Sequence, residues 1–308
     1  MLNNNYYFTI FLLLIMSNFT MAESKYKKPY YGIKLDLTQV GVDIRLNDIP
    51  IYYDDEKGQL SVDLPATTSV INGKNELKII AFPPYIDDEN KMDKFLPGAE
   101  VSVTLYVQEY DDQSNTKETL SNISIKYNND HKAEILTSSY DSEQSEAKFI
   151  KNTTNSTIVN RTAEFKSGFP TWQWQSGVDI ENTKDNFNTL LSAYKNIYSS
   201  FKEKNSAKVK DLYKNRAKET AIAFYLENIE QGHSKISTGE DMNDPSLKLH
   251  DFWLENMFLD IFANGKMARI IDKDNDQPIL FVDKESGTLH LHKFGFYKNK
   301  NNEWILIR

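Results

Sequence analysis

From Ile33 to about Trp174 apolar and polar residues alternate: Val42, Ile44 and Leu46 are separated by Asp43 and Arg45. Successive side chains of a strand point to opposite faces, so a period of two predicts half-buried antiparallel strands. Ile49 to Tyr53 and Leu60 to Leu64 flank Asp54-Asp55-Glu56-Lys57-Gly58, which reads as a hairpin. Asn72-Gly73 is a turn leading into Leu77, Ile79 and Ala81. Val101, Val103, Leu105 and Val107 continue the alternation, as do Ile123-Ile125-Tyr127 and Ala133-Ile135. Lys151 to Arg161 is rich in Asn and Thr and predicts a loop or an edge strand. A run of short strands with no helix between them favours an antiparallel β-sandwich over residues 30–176.

After Gly177 the period becomes 3.6. Phe187, Leu190, Leu191, Tyr194, Ile197, Tyr198 and Phe201 fall on one face of a first helix. Val209, Leu212, Tyr213, Ala217, Thr220, Ala221 and Phe224 mark a second, ending near Gly232. Pro245-Ser246 opens a third that carries Leu249, Phe252, Trp253, Met257, Ile261 and Phe262 and ends at Gly265. Strands follow at Met267 to Ile271, Pro278 to Val282, Thr288 to Tyr297 and Glu303 to Ile307. The expected architecture is two separately folding domains: the sandwich, then an α+β domain over 179–308 in which three helices precede a four-strand antiparallel meander. The change of period places the join between about Ser167 and Thr183.

The order of helices and strands in the second half resembles the nuclear-transport-factor-2-like fold. The resemblance rests on Tyr194-x-x-Ile197-Tyr198, the restart from Lys204 to Tyr213, and the closing Tyr297 to Ile307 pair with Trp304. It implies helices packed into a curved antiparallel sheet. It supplies no acid–base pair in the cone of that fold, so it speaks to architecture and leaves catalysis open.

Tyr6 to Met16 is an uncharged apolar run, too short for the about 20 residues a membrane span needs. Thr20-Met21-Ala22 before Glu23 is a small-residue boundary, so residues 1–22 read as a signal peptide cleaved near Ala22. No Lys or Arg precedes the run, which keeps a retained anchor as the alternative. With no cysteine in 308 residues, an exported chain of this size fits the periplasm, where a fold must hold without disulfides. Five Asn-x-Ser/Thr sequons, at Asn18, Asn122, Asn152, Asn155 and Asn160, are what an Asn-rich chain shows by chance. The net charge of −8 is unevenly placed: residues 1–177 hold 17 Lys/Arg against 24 Asp/Glu, the remainder 19 against 20. Phosphate repulsion excludes nucleic acid as a natural partner of the first half and makes a basic protein surface a fitting one.

Chemistry-bearing motifs are sparse. Asp272-Lys273-Asp274-Asn275-Asp276 with Asp283 begins like a calcium loop, but Gln277 replaces its glycine and Asp283 its terminal glutamate. A solvated hairpin tip accounts for the same residues. His290 and His292 share a strand face, yet zinc needs further ligands that nothing in the sequence brings near. Trp172 and Trp174 also share a face, suited to interdomain packing or to anchoring a partner. Lys195 to Glu219 holds eight Lys/Arg against three Asp/Glu, a solvated face or a peripheral contact with anionic lipid. No serine-hydrolase elbow, zincin helix or phosphate loop occurs, so no cofactor, metal or catalytic residue is expected.

Arg45-Leu46-Asn47-Asp48-Ile49-Pro50-Ile51 and Ile71-Asn72-Gly73-Lys74-Asn75-Glu76-Leu77 resemble the start of β-sandwich proteins found beside type VI secretion effectors. That resemblance implies a periplasmic immunity protein neutralising an envelope-acting toxin, such as a phospholipase or a peptidoglycan hydrolase. The expected contact residues are Asp54, Asp55, Glu56, Asp87, Asp88, Glu89, Asp111 and Asp112 at turn tips, with Trp172 and Trp174. The competing readings are an envelope glycan- or lipid-binding accessory module and an enzyme built in the C-terminal cone around His290, His292 and Asp283.

Overall fold

A computed structural model describes residues 25–86, 90–111, 116–136 and 145–308, so the segment read as a signal peptide lies outside the described residues. No helix among the described residues is long and apolar enough to cross a membrane. The first half is built from β1 (Pro29–Thr38), β2 (Gly41–Leu46), β3 (Ile49–Asp54), β4 (Gln59–Pro65), β5 (Gly73–Phe82), β6 (Glu100–Glu109), β7 (Glu118–Tyr127), β8 (Ala133–Ile135), β9 (Lys148–Asn152) and β10 (Thr157–Phe165). They form two antiparallel sheets, ordered β4-β1-β6-β7-β8 and β3-β2-β5-β10-β9. The period-two positions face inward: Ile33, Leu35, Val42, Ile44, Ile79, Val101, Val103 and Ile125 are fully buried. Removing each such side chain from water is worth about 1.5–3 kcal/mol, which fixes the register because a one-residue slip would expose the whole set.

Two turns differ from expectation. Asp54 to Gly58 is no hairpin: β3 lies at the edge of one sheet and β4 at the edge of the other, so this turn crosses between them. The tight hairpin is Asn47-Asp48, where φ values of 54° and 61° give the left-handed pair that matches strand twist. Asn47 earns its place there, since its side chain, 4 % exposed, donates to the Ser69 carbonyl and to Asn75. The Asn- and Thr-rich stretch holds both β9, an edge strand, and β10, which lies between β5 and β9. Thr157, Val159, Arg161 and Ala163 point inward along β10 and the polar residues between them outward. The polar positions masked a strand whose core face is intact.

The second half contains α1 (Lys184–Lys202), α2 (Ser206–Ala223) and α3 (Ile229–Lys235), then β11 (Leu247–Leu249), β12 (Phe258–Phe262), β13 (Met267–Ile271), β14 (Leu280–Asp283), β15 (Leu289–Leu291), β16 (Phe296–Lys298) and β17 (Trp304–Leu306). Thr183, Asn205 and Asn228 cap the helices by accepting backbone N–H groups of Asn186, Lys208 and Gln231. The third helix is therefore not at Pro245 to Gly265. Tyr225 at φ 55° breaks the chain after α2, and Asn228 restarts it as α3. Ala263, Asn264 and Gly265 all have positive φ, so they form the turn joining β12 to β13 and not the end of a helix. The four-strand meander is corrected likewise: the strands divide into a three-stranded sheet, β11-β14-β15, and a four-stranded one, β12-β13-β16-β17. Tyr194 of α1 locks the helix to both chain segments it covers, its hydroxyl donating to Gln277 Oε1 at 2.8 Å and accepting from Ile270 N–H at 3.2 Å.

The halves share a core. Ala223, Phe262, Ala263, Met267, Tyr297 and Ile307 belong to the same buried cluster as the sandwich. Polar contacts reinforce it: the Asp48 carbonyl accepts from Ala263 N–H, its carboxylate from Asn264 N–H, and Tyr225 donates to the Pro29 carbonyl. At the centre, Glu219 of α2 is fully buried and accepts from Gln173 N–H at 2.8 Å and from Arg308 at 2.6 Å. Arg308 also donates to the Thr68 carbonyl in the sandwich. Replacing Glu219 by Ala leaves a buried guanidinium uncompensated, so urea unfolding is expected to show a loss of about 3–5 kcal/mol. A loss below 1 kcal/mol would mean the joint rests on apolar packing alone.

Candidate functional site

Several concavities lie where the halves meet, two of them of about 420 and 410 Å³. The first is at the end of the sandwich marked by Thr38, Gln59 and Glu100. There Tyr85 N–H donates to the Asp55 carbonyl at 2.7 Å and Lys57 N–H to the Tyr85 carbonyl at 3.0 Å, which holds the β3–β4 crossover against the segment after β5. The β13–β14 turn arrives from the other half. Together Asp55, Glu56, Lys57, Tyr85, Ile86, Lys273 and Asp274 line a polar groove of about 420 Å³. Burial first, then the neighbouring charges of Asp272, Asp274 and Asp55, push the Asp276 carboxyl above its ordinary range. Burial, and then Asp55 and Asp274 among the nearby charges, likewise raise the Tyr53 phenol. Carboxylates from both halves thus crowd one end.

Not every expected contact residue is found there. Asp55 and Glu56 line the groove and Asp54, the last residue of β3, adjoins them outside its lining, while Asp87, Asp88, Glu89 and Asp112 lie outside the described residues. Asp111 is at the opposite end: β1 runs from Pro29 beside Glu109 to Thr38 beside Glu100, about 30 Å at the rise of a strand. It pairs there with Lys28 at 2.6 Å. Trp172 and Trp174 are 2 % and 4 % exposed and sit in the shared core, where the Trp172 indole N–H donates to the Val70 carbonyl at 2.7 Å. They pack the joint from a single-turn helix, Gln173–Ser176, and offer no open ring face.

The groups weighed for metal or catalysis are engaged elsewhere. Asp272 accepts N–H bonds from Asp274 and Asp276 at 2.9 Å each, which closes the hairpin tip, and Gln277 is buried beneath Tyr194. Asp283 accepts from Glu285 and Ser286 N–H in its own turn. His292 meets Asp241 at 3.0 Å and packs on Phe201, while His290 is exposed. Among the described residues no three His, Asp or Glu side chains are grouped to hold a metal ion.

The second concavity, of about 410 Å³, opens between β3, the Pro65–Ser69 turn, α2 and the segments around Phe294 and Arg308. Ile49, Ile51, Phe262, Phe294 and Ile307 supply its apolar wall; Arg216, Lys235, Arg269, Lys293 and Arg308 supply its charge. Sequence reading missed it. Its residues come from segments far apart in the chain, and the basic excess of Lys195 to Glu219 was its one visible trace.

Comparison of the chain with protein-family models, with curated proteins and with solved structures finds no match.

Chelation supplies the check on the acidic turn. Because Asp272 is already satisfied by backbone N–H groups, adding EDTA is expected to leave the melting temperature unchanged, and a fall of several degrees would show that the turn holds a cation.

Proposed function

We propose that this chain is an exported, non-catalytic binding protein that antagonises an envelope-acting effector in the manner of an immunity protein. The observation that carries this reading is the acidic groove built jointly by the β3–β4 crossover and the β13–β14 turn. Its lining holds three carboxylates, Asp55, Glu56 and Asp274, against two ammonium groups, Lys57 and Lys273, the latter 3.6 Å from Asp274. The acidic excess beside Tyr85 and Ile86 suits a basic side chain projecting from a partner, with the aromatic and aliphatic groups packing along its stem. Since the two halves share one core, the groove is held rigid, and a rigid site loses less freedom on binding. The apolar run before Glu23 and the absence of cysteine support action in the periplasm, where a phospholipase or peptidoglycan hydrolase delivered by a rival cell would meet it. Neither concavity combines a nucleophile with an oriented base, which supports binding over turnover.

The test co-expresses in the periplasm a candidate envelope-acting effector, a phospholipase or peptidoglycan hydrolase with a basic surface, with this chain and with a variant carrying Asp55→Asn, Glu56→Gln and Asp274→Asn. Long-range attraction accelerates encounter about tenfold or more at low ionic strength, so the variant should associate that much more slowly and protect less, with the difference shrinking as salt is added. Equal protection, with association rates indifferent to salt, would remove the groove from the contact surface.

A further inference from the structure

The pocket at the joint is chemically out of character with its protein. A chain of net charge −8 lines one open concavity with five cations and no Asp or Glu side chain. Two of those cations are neutralised from outside the lining: Arg269 meets Asp260 at 2.7 Å and Arg308 meets Glu219 at 2.6 Å. The other three are not. Arg216 donates to the Lys293 carbonyl at 3.2 Å, and Lys235 stands 5.1 Å from the Phe224 ring. Among the described residues no carboxylate lies within ion-pair distance of Arg216, Lys235 or Lys293.

Gathering these cations around one concavity is electrostatically costly. Burial, with Arg308 adding repulsion, lowers the Arg216 guanidinium below its ordinary value against the pull of Tyr213. Partial desolvation of its ammonium and then Arg269 do the same to Lys293, against the pull of Asp276, although the residue as a whole is exposed. Arg216 is half-buried while Lys235 and Lys293 reach solvent. Cations brought together around one concavity with no acidic side chain among them are what an anion-binding site requires, because the ligand's charge relieves their mutual repulsion. The same lining holds Ile49, Ile51, Phe262 and Phe294, apolar groups that have no use for a bare, hydrated ion. The volume, about 410 Å³, falls in the range of small-molecule sites, which occur preferentially at domain joints.

We infer that this pocket binds a small amphipathic anion, with its carboxylate or phosphate head on Arg216 and Lys293 and its apolar body against the Ile49, Ile51 and Phe262 wall. The site is separate from the acidic groove and uses none of its residues. Because the lining comes from both halves, an occupant bridges them and stabilises the folded chain by mass action.

Titration calorimetry on the full chain tests this with four probes: decanoate, decyl phosphate, decyltrimethylammonium and inorganic phosphate. Decanoate or decyl phosphate should bind saturably, and the one that binds more tightly identifies the head group. Decyltrimethylammonium and inorganic phosphate should each bind at least about tenfold more weakly, since one carries the opposite charge and the other lacks the apolar body. Arg216→Gln with Lys293→Gln should weaken the favoured probe by about tenfold or more. The same variant without ligand should melt at or above the wild-type temperature, because it removes repulsion. A cationic amphiphile binding as well as an anionic one, inorganic phosphate binding as tightly as decyl phosphate, or no saturable heat from either anion would overturn the inference. So would a variant that melts several degrees lower, which would assign both side chains to holding the joint.

Discussion

A carboxylate buried as deeply as Glu219 must be answered by positive charge or N–H groups, and the way this one is answered sets the shape of the molecule. Its two oxygens draw in the backbone at Gln173, just after the sandwich, and the guanidinium of Arg308, which reaches on to the Thr68 carbonyl. One side chain of α2 therefore fixes the connecting segment, the closing strand pair and a turn of the first half. Such a clasp adds little net stability relative to an apolar joint, since desolvation opposes the Coulombic gain. What it adds is a single relative placement of the halves, and with it the walls of both concavities.

The fold was legible where a single chain segment decides the outcome. β6 and β13 follow from their apolar spacing, and α1 from a face that places Leu190, Tyr194, Ile197 and Phe201 inward. Reading failed where long-range pairing decides. The segment Phe252 to Phe262 carries aromatic and branched residues whose spacing fits a helix or a strand, and its pairing with β13 through the Asn264-Gly265 turn settles the choice. The Asp54 to Gly58 turn looks like a hairpin because its flanks alternate, and only the sheet order shows that they belong to different layers.

The candidate sites divide in the same way. Charge at a turn can be read from sequence, so Asp55 and Glu56 were visible as surface features, but their neighbour Asp274 comes from the other half and its proximity was not. Trp172 and Trp174 illustrate the converse: aromatic residues near a boundary fit a binding platform or a packed joint, and burial decides. The cationic pocket was the least visible, since Arg216, Arg269, Lys293 and Arg308 form no local pattern and the net charge of the chain has the opposite sign.

Thr68 and Arg308 meet across a separation of 240 residues, which makes their contact a late event in any plausible order of assembly. The sandwich strands pair over shorter loops, and loop closure entropy delays the most distant contacts until the rest of the chain has been gathered. During synthesis, where the amino-terminal part emerges first, the sandwich has the opportunity to form before α2 and the final strands arrive to dock. The joint is then the last surface to close. Until it does, the apolar wall around Ile49 and Ile51 stands open to other chains, and this interval is when the molecule is most exposed to misassembly.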